Sequence, residues 1–406
     1  MKMCLVCLKP EVELVLDLGE TALANKFLTR EELSQVEPRH PLRLGFCHGC
    51  GHVQLMESVP PQDMFDDYLY VSGASDTLKA HLHDLSDIVT ARCKLGPEDL
   101  VVDVGCNDAT LLQGFQRYGI RTLGVDPAQN LAEFAAGTCI ERFVGFFDLG
   151  MATHIREKRG AASVITLSNT FPHIQDLQGF VRGILTLLMP GGVLVIEAHY
   201  LMDILDQVAF DTIYHEHVSY WALGPMKKLF ESLGMEVISA ERLSLHHGQL
   251  RVFVQRKGEG TPEASVEAVL EEERKAGLED VKTFFKFRDR VLGIKESLRK
   301  LLVELKQNGK RVAGYGAPAK GSTLLGFLEI GPALVEYIVD RSALKQGRYT
   351  PGTHIPVVPT ERLLQDQPDY VLLLAWNFVD EVLEQQREYR SHGGKFIIPV
   401  PVAKTI

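Results

Sequence analysis

Leu100-Val-Val-Asp-Val-Gly-Cys-Asn-Asp-Ala109 is the stretch that decides the fold. A strand-length apolar run, Leu100 to Val104, passes directly into a glycine turn. A glycine there lets the backbone approach a ligand closely at the N-terminus of the helix that follows. Working outward, Thr122-Leu-Gly-Val125 reads as the next strand, and Asp126 ends it 23 residues after Asp103. An acidic side chain at that position can accept hydrogen bonds from both hydroxyls of a ribose. Ser163-Val-Ile-Thr-Leu167 and Val193-Leu-Val-Ile196 are further strands. Apolar strands alternating with amphipathic helices predict a parallel sheet covered on both faces.

The block with this alternation runs from about residue 73 to 257 and is expected to be one α/β domain. Residues 1–72 before it hold paired cysteines and little helical periodicity. After Gly258-Glu-Gly260-Thr-Pro262, helix-compatible sequence extends to Asn308, with Leu298, Leu301, Leu302 and Leu305 at helical spacing. A second alternating unit then starts, with expected strands Val312–Tyr315, Val335–Val339 and Tyr370–Leu374, so residues 258–406 read as a second Rossmann-like α/β domain.

A length of 406 residues suits two to four domains, and 45% hydrophobic with 24% charged residues is globular composition. The net charge of −10, with no basic stripe, argues against a nucleic-acid partner. The longest apolar runs, such as Val371-Leu-Leu-Leu-Ala-Trp376, are strand-length, and no signal-like stretch follows the first residues. The expectation is a cytoplasmic protein with no membrane partner. Cys4-Leu-Val-Cys7 and Cys47-His-Gly-Cys50 are two C-x-x-C knuckles, which together can complete a tetrahedral Zn²⁺ shell. Four thiolates leave no open coordination position, so this zinc would be structural.

Within the first α/β unit, Gly145-Phe-Phe-Asp148 offers an aromatic wall (Phe147) and a carboxylate (Asp148) suited to adenine. Ser168 and Asn169 follow a later strand, where Asn169 can reach the cofactor's amino-acid part and His173 the transferred group. Tyr214-His-Glu-His217 is the densest cluster of proton-transfer groups in the chain, and histidine can remove a proton near neutrality. Tyr68 and Tyr70 lie at the junction with the cysteine block. In the C-terminal unit, Gly314-Tyr-Gly-Ala-Pro-Ala-Lys-Gly321 follows a strand and opens a helix. Its amides and Lys320 suit a pyrophosphate, and Asp340 at the end of the next strand suits a ribose.

The turn Asp103-x-Gly105-x-Asn107-Asp108 resembles the first motif of class I methyltransferases, which bind S-adenosylmethionine, and Met189-Pro-Gly-Gly-Val-Leu-Val195 matches a later turn of that superfamily. Ala109 stands where many relatives have glycine. The whole chain resembles the sugar C-methyltransferases that build branched deoxysugars on nucleotide diphosphates. The resemblance rests on an ordered set: Cys4-x-x-Cys7, Leu16-Asp-Leu-Gly19, Leu23-Ala-Asn-x-Phe-Leu28, Cys47-x-x-Cys-Gly51, Gly105-Cys-Asn-Asp108, Tyr214-His-Glu-His217, His246-His-Gly-Gln-Leu-Arg251, Gly314 to Gly321, Tyr349 to Ile355 and Ala375-Trp-Asn377. It departs from the family at His247 and Gln249 and in Asp340-Arg-Ser-Ala-Leu-Lys345. The resemblance implies a nucleotide-linked keto-sugar substrate, dTDP-linked in the usual case, methylated at carbon 3 beside a 4-ketone. It implies His217 as the base, with Tyr214, Glu216, His173 and Tyr68 or Tyr70 lining the pocket. It also implies that His246, Gly314, Tyr315, Gly316, Lys320, Asp340, Trp376 and Asn377 contribute to the sugar-nucleotide site. Two other readings remain: a nucleotide-sugar oxidoreductase using NAD(P) on the C-terminal unit, and a methyltransferase acting on a non-sugar keto compound.

Overall fold

The computed structural model describes residues 2–65, 69, 71–131, 138, 140–244 and 248–406. Tyr68, Tyr70 and His246 therefore lie outside the described residues. The N-terminal sheet is antiparallel and contains β1 (Val12–Thr21), β2 (His40–Cys47) and β3 (Val53–Leu55). Each knuckle closes as a tight turn, through Leu8 N–H to Cys4 O (3.0 Å) and Gly51 N–H to Cys47 O (2.8 Å). Gly51 has φ +81°, a conformation that favours glycine.

The central sheet contains β4 (Leu100–Val104), β5 (Arg121–Asp126), β6 (Glu141–Val144), β7 (Ala162–Ser168) and β8 (Leu188–His199). In the chain β9 (Ser219–Tyr220), β10 (Met235–Leu243) and β11 (Gln249–Arg256) follow. The sheet order is β10-β11-β8-β7-β4-β5-β6. β6, β5, β4, β7 and β8 run parallel, and β11 inserts antiparallel between β8 and β10. Chain direction across the sheet reverses between β4 and β7, so the turns after these two strands open a crevice.

Strand alternation splits the core cleanly. Val101, Val164 and Val195 pack with Leu78, Leu82, Leu111 and Phe115 from α1 (Asp76–Cys93) and α2 (Thr110–Gln116). Their neighbours Val102, Ile165 and Leu194 face α3 (Leu149–Arg159) and α4 (Leu177–Leu187), against Ile155, Phe180 and Ile184. This is the period-2 geometry of a sheet buried on both sides.

β9 does not join this sheet. It pairs with β3 of the N-terminal sheet, with Val53 opposite Tyr220 and Gln54 opposite Ser219. α5 (Leu223–Ser232) follows, and its first amides are capped from outside. The buried Glu273 of α6 (Ala264–Ala276) accepts from Leu223 N–H (2.5 Å), Gly224 N–H (2.9 Å) and Tyr200 O–H (3.0 Å). The expected helical stretch forms α6 and α7 (Val281–Gln307), whose buried stripe is Phe284, Phe287, Val291, Ile294, Leu298 and Leu302. Leu301 and Leu305 sit half-buried at its edge.

The C-terminal unit has β12 (Val312–Tyr315), β13 (Ile338–Val339), β14 (Val357–Val358), β15 (Tyr370–Leu373), β16 (Lys395–Ile398) and β17 (Lys404–Thr405), in the order β14-β13-β12-β15-β16-β17. All but β17 are parallel, and α8 (Ala319–Leu328) follows β12. Only Ile338–Val339 of the expected strand Val335–Val339 form β13; Val335 N–H turns back to Gly331 O, while Glu336 N–H and Tyr337 O bond to Val312 O and Gly314 N–H of β12. No helix among the described residues is long and apolar enough to cross a membrane.

Glu273→Ala should cost about 2–4 kcal/mol, because it strands two helix-end amides and a buried phenol without partners. Chemical denaturation read by circular dichroism would show it; a midpoint equal to wild type would mean that these groups rehydrate freely.

Candidate active site

A cavity of about 1030 Å³ opens at the crevice, and all three parts of the chain line it: Asn25, the turns after β4, β5 and β7, and the turn after β12. Gly105 has φ +77°, and a Cβ there would lie 2.1 Å from Thr170 Oγ1, so only glycine fits. Ala109, where relatives carry glycine, is also left-handed at φ +64° and buried.

The carboxylates of this end are wired into the turns. Asp126 accepts from Asn107 N–H and Ala128 N–H, both at 2.8 Å, with Arg142 3.2 Å away. Burial nonetheless raises its pKa. Asp103 accepts from Thr166 Oγ1 (2.7 Å), and burial pushes its carboxyl up to about 7. Asn107 Oδ1 and Asp108 Oδ2 accept from Ser72 N–H (2.9 Å) and Gly73 N–H (2.7 Å), and so fasten the loop at the junction with the N-terminal unit. Asp148 caps α3 through Met151 N–H (2.8 Å). Phe147 borders the cavity but packs edge-on against Phe180, at 5.2 Å, and is 9% exposed; the exposed ring is Phe146, at 40%. Ser168 lines the cavity, and Asn169 (φ +58°) accepts from Gln249 Nε2 (3.2 Å).

Three imidazoles converge at the centre. His217 lies 5.0 Å from His173 and 5.3 Å from His199, between ring centroids, and all three line the cavity. The His217 Nδ1–H donates to Thr212 O (2.9 Å), which places the basic lone pair on Nε2, 2.9 Å from the Tyr214 hydroxyl. Burial, then the neighbouring His173 and His199, hold His217 well below its ordinary pKa. His173 donates Nδ1–H to Glu216 O (2.7 Å), and burial lowers it to about 4. Sequence reading missed His199, which ends β8 in a segment with no motif of its own.

Glu216 does not line the cavity; both its oxygens accept from Asn25 Nδ2, at 2.8 and 2.9 Å. His215 points toward Pro41 O (3.3 Å). At the far end, Gly316, Lys320 and Asp340 line the cavity. Asp340 accepts from Ala317 N–H (2.5 Å) and Ser342 N–H (2.7 Å). Lys320 contacts Asn377 Oδ1 and lies 4.4 Å over the Trp376 ring, whose Nε1–H donates to Asp211 (2.6 Å). Gly314 packs on Ile338, and Tyr315 is buried in the C-terminal core near Phe396, so neither reaches the cavity.

Outside the cavity lining, the sulfurs of Cys4, Cys7, Cys47 and Cys50 all lie within 4.8 Å of one another, with Cys4–Cys50 and Cys7–Cys47 at 3.5 Å. A ZnS₄ tetrahedron with bonds of about 2.3 Å has edges of about 3.8 Å, so the donor set fits the ion.

Strand order, the glycine turn and the acid-lined crevice define a class I methyltransferase, and such a domain implies S-adenosylmethionine. Residues 77–240 match a family described as "Methyltransferase domain", residues 4–65 one described as "Putative zinc binding domain", and residues 244–401 one described as "C-methyltransferase C-terminal domain". The C-methyltransferase NovU of Streptomyces niveus is 34% identical over 404 residues, covering 99% of this chain and 96% of that protein. The chain belongs to this C-methyltransferase family and is an S-adenosylmethionine-dependent C-methyltransferase. Solved methyltransferases from Anabaena variabilis (15% identity, TM-score 0.36, covering 44% of this chain and 86% of that one) and Clostridium acetobutylicum (14%, 0.37, 46% and 94%) are also similar.

Gly105→Ala should abolish detectable S-adenosylmethionine binding by calorimetry while the zinc content stays at wild type. Binding within twofold of wild type would mean that the cofactor does not rest on this turn. Cys47→Ser should lower both zinc stoichiometry, measured by atomic absorption, and melting temperature; unchanged zinc would contradict the cluster.

Proposed function

We propose that this enzyme methylates a carbon beside the ketone of a nucleotide-linked 4-keto-6-deoxy sugar, carbon 3 in the simplest case, through an enolate. The observation that carries the reading is His217: a buried, neutral imidazole, lining the cavity, whose basic Nε2 rests against the Tyr214 hydroxyl. The overall resemblance of the chain to sugar C-methyltransferases supports the choice of substrate.

An unactivated sugar C–H bond will not attack an electrophilic methyl, so a carbon nucleophile has to be generated in place. S-adenosylmethionine, when bound, supplies that methyl on a sulfonium whose departure as a neutral thioether drives transfer. The residues fit such a ligand: the Gly105 backbone permits close approach, and Asp103, Asp126 and Asp148 present carboxylates. His217 Nε2 takes the proton beside the ketone, displacing its resting bond to Tyr214. Thr212 O holds the ring so that Nδ1 cannot be the acceptor. Tyr214 O–H, released from Nε2, is the donor available to the developing enolate oxygen, since the single N–H of neutral His173 is held by Glu216 O. Glu216, bound to Asn25, orients the segment and takes no proton. Gly316, Lys320 and Asp340 would form the nucleotide end, with Trp376 and Asn377 outside the cavity lining and holding Lys320 from behind. An oxidoreductase reading has less support, since Gly314-Tyr-Gly-Ala lacks the third glycine of a dinucleotide turn.

His217→Asn should lower turnover by about 10²–10⁴-fold with cofactor affinity nearly intact; a wild-type rate would move the base to His173. Because burial keeps His217 neutral at pH 7, the acid limb of kcat/KM should fall below the ordinary imidazole pKa of 6.5. A limb above that value would exclude this histidine. Incubation with labelled S-adenosylmethionine and a dTDP-4-keto-6-deoxyhexose in heavy water tests the whole reading by mass spectrometry. A labelled methyl fixed on carbon supports it; neither methylation nor deuterium entry, with the cofactor still bound, sinks the keto-sugar assignment.

A further inference from the structure

Arg142 belongs to no motif, yet β6 places it where both turns of the cofactor end are within reach. β6 is the edge strand of the central sheet, with Arg142 opposite Gly124 of β5. The next residue, Phe143, packs edge-on against His154 of α3 at 5.4 Å. Strand alternation therefore turns Arg142 to the opposite face, toward the turn after β4. Its side chain is 6% exposed, as buried as that of Asp126 beside it at 9%.

Its donors go to the same two residues that Asp126 holds. Asn107 gives its N–H to Asp126 Oδ2 (2.8 Å), and its carbonyl accepts from Arg142 Nη1 (3.1 Å). Ala128 gives its N–H to Asp126 Oδ1 (2.8 Å), and its carbonyl accepts from Arg142 Nη2 (2.6 Å). The ion pair, 3.2 Å between Nη2 and Oδ1, closes the ring. One residue after β4 and one after β5 are thus held on both sides. Asn107 needs such a grip, because φ +51° is a left-handed conformation that L-residues rarely adopt. Burial raises the Asp126 carboxyl, and its two amides and then Arg142 oppose that rise. A guanidinium presents five donors in a fixed fork, so it can serve carbonyls of two turns together. The turn after β12 has a simpler version: Asp340 takes the Ala317 N–H, and Lys345 gives one bond to the Ala317 carbonyl (2.8 Å). The lysine grips one residue; Arg142 grips two.

We propose that Arg142 is a positioning residue for S-adenosylmethionine: it fixes the spacing of the turns after β4 and β5 and keeps Asp126 aimed at the cofactor's ribose. It does not line the cavity, so it acts through Asn107, Ala128 and Asp126 and not by contact. The inference concerns the cofactor alone and stands whichever ketone is methylated.

The test is calorimetric titration of the zinc-loaded full chain with S-adenosylhomocysteine and with its analogue lacking both ribose hydroxyls, for wild type, Arg142→Lys and Arg142→Met. Wild type should bind the analogue about tenfold more weakly or worse; equal affinity would mean that Asp126 does not read the ribose and would overturn the proposal. Each variant should lose about ten- to a hundredfold in S-adenosylhomocysteine affinity and much less for the analogue, so that the preference for hydroxyls collapses. Equal losses for both ligands would reduce Arg142 to a support for the fold. Wild-type affinity in Arg142→Lys would show that charge suffices without the fork; either result overturns the positioning role. Zinc content and melting temperature control for folding, and if Arg142→Met does not fold, Arg142→Lys and the wild-type comparison decide alone. With a dTDP-4-keto-6-deoxyhexose as acceptor, KM for S-adenosylmethionine should rise by the same factor while kcat at saturating cofactor holds. A lower kcat with unchanged KM would place Arg142 in the chemical step and overturn the proposal. If wild type methylates no such sugar, the keto-sugar reading falls, and the binding titrations still decide on Arg142.

Discussion

A buried backbone must find a partner for every amide and carbonyl, and the segment from Val208 to Trp221 cannot find them within its own sheet. It leaves β8 through a short helix, is buried almost throughout, and returns only at α5. Local turns satisfy some of them, and others are made outward. Val218 N–H donates to Pro172 O (2.9 Å), Val218 O accepts from Leu55 N–H (3.0 Å), and β9 completes the antiparallel sheet of the zinc-binding part. Side chains repeat the pattern, with His52 Nε2 3.1 Å from Ser219 Oγ and Trp376 bonded to Asp211. This segment carries Thr212, Tyr214 and His217, so the tautomer of the proposed base is set by contacts that all three parts of the chain enforce.

The two α/β units use one device for different ends. In each, an aspartate ends the second strand and accepts an amide from the glycine turn after the first: Asp126 from Asn107, Asp340 from Ala317. The aspartate thus shapes its turn before any ligand arrives, and hydroxyl binding can only use the lone pairs left over. What differs is the charge around the turn. The first is ringed by carboxylates and the second is flanked by Lys320 and Lys345. In the proposed reading, shape suits a ligand at both turns, and the surrounding charges separate a cation-bearing cofactor from an anionic substrate.

The strands and the metal cluster were legible because both are local signals. Val101 and Val102 face opposite helical layers by simple alternation, and each knuckle needs only two thiols three residues apart. The direction of individual side chains was less legible. Phe146 and Phe147 are adjacent and equally aromatic, yet the packing of Phe180 decides which one turns inward. Tyr315 sits inside a motif, but as a strand residue it points to the core opposite the turn that follows it. Glu216 belongs to the densest catalytic motif and is claimed by Asn25, 191 residues earlier. Such pairings follow from tertiary docking and leave no periodicity to read.

The four-cysteine cluster, which does not line the cavity, then acquires a role in the same reading. Four thiolates would leave a zinc ion no position for water or substrate, so its contribution would be geometric. It ties the turn at Cys4–Cys7 to the hairpin of β2 and β3, which has only three residues in its second strand. A strand so short contributes little pairing energy of its own, yet it must hold β9 in register. A one-residue slip there would turn Ser219 and Tyr220 to opposite faces and drag His217, two residues upstream of β9, away from Thr212. A metal that pins the turn of the hairpin, where Cys47 and Cys50 both lie, would oppose that slip in a part of the chain too small to do so by burial alone.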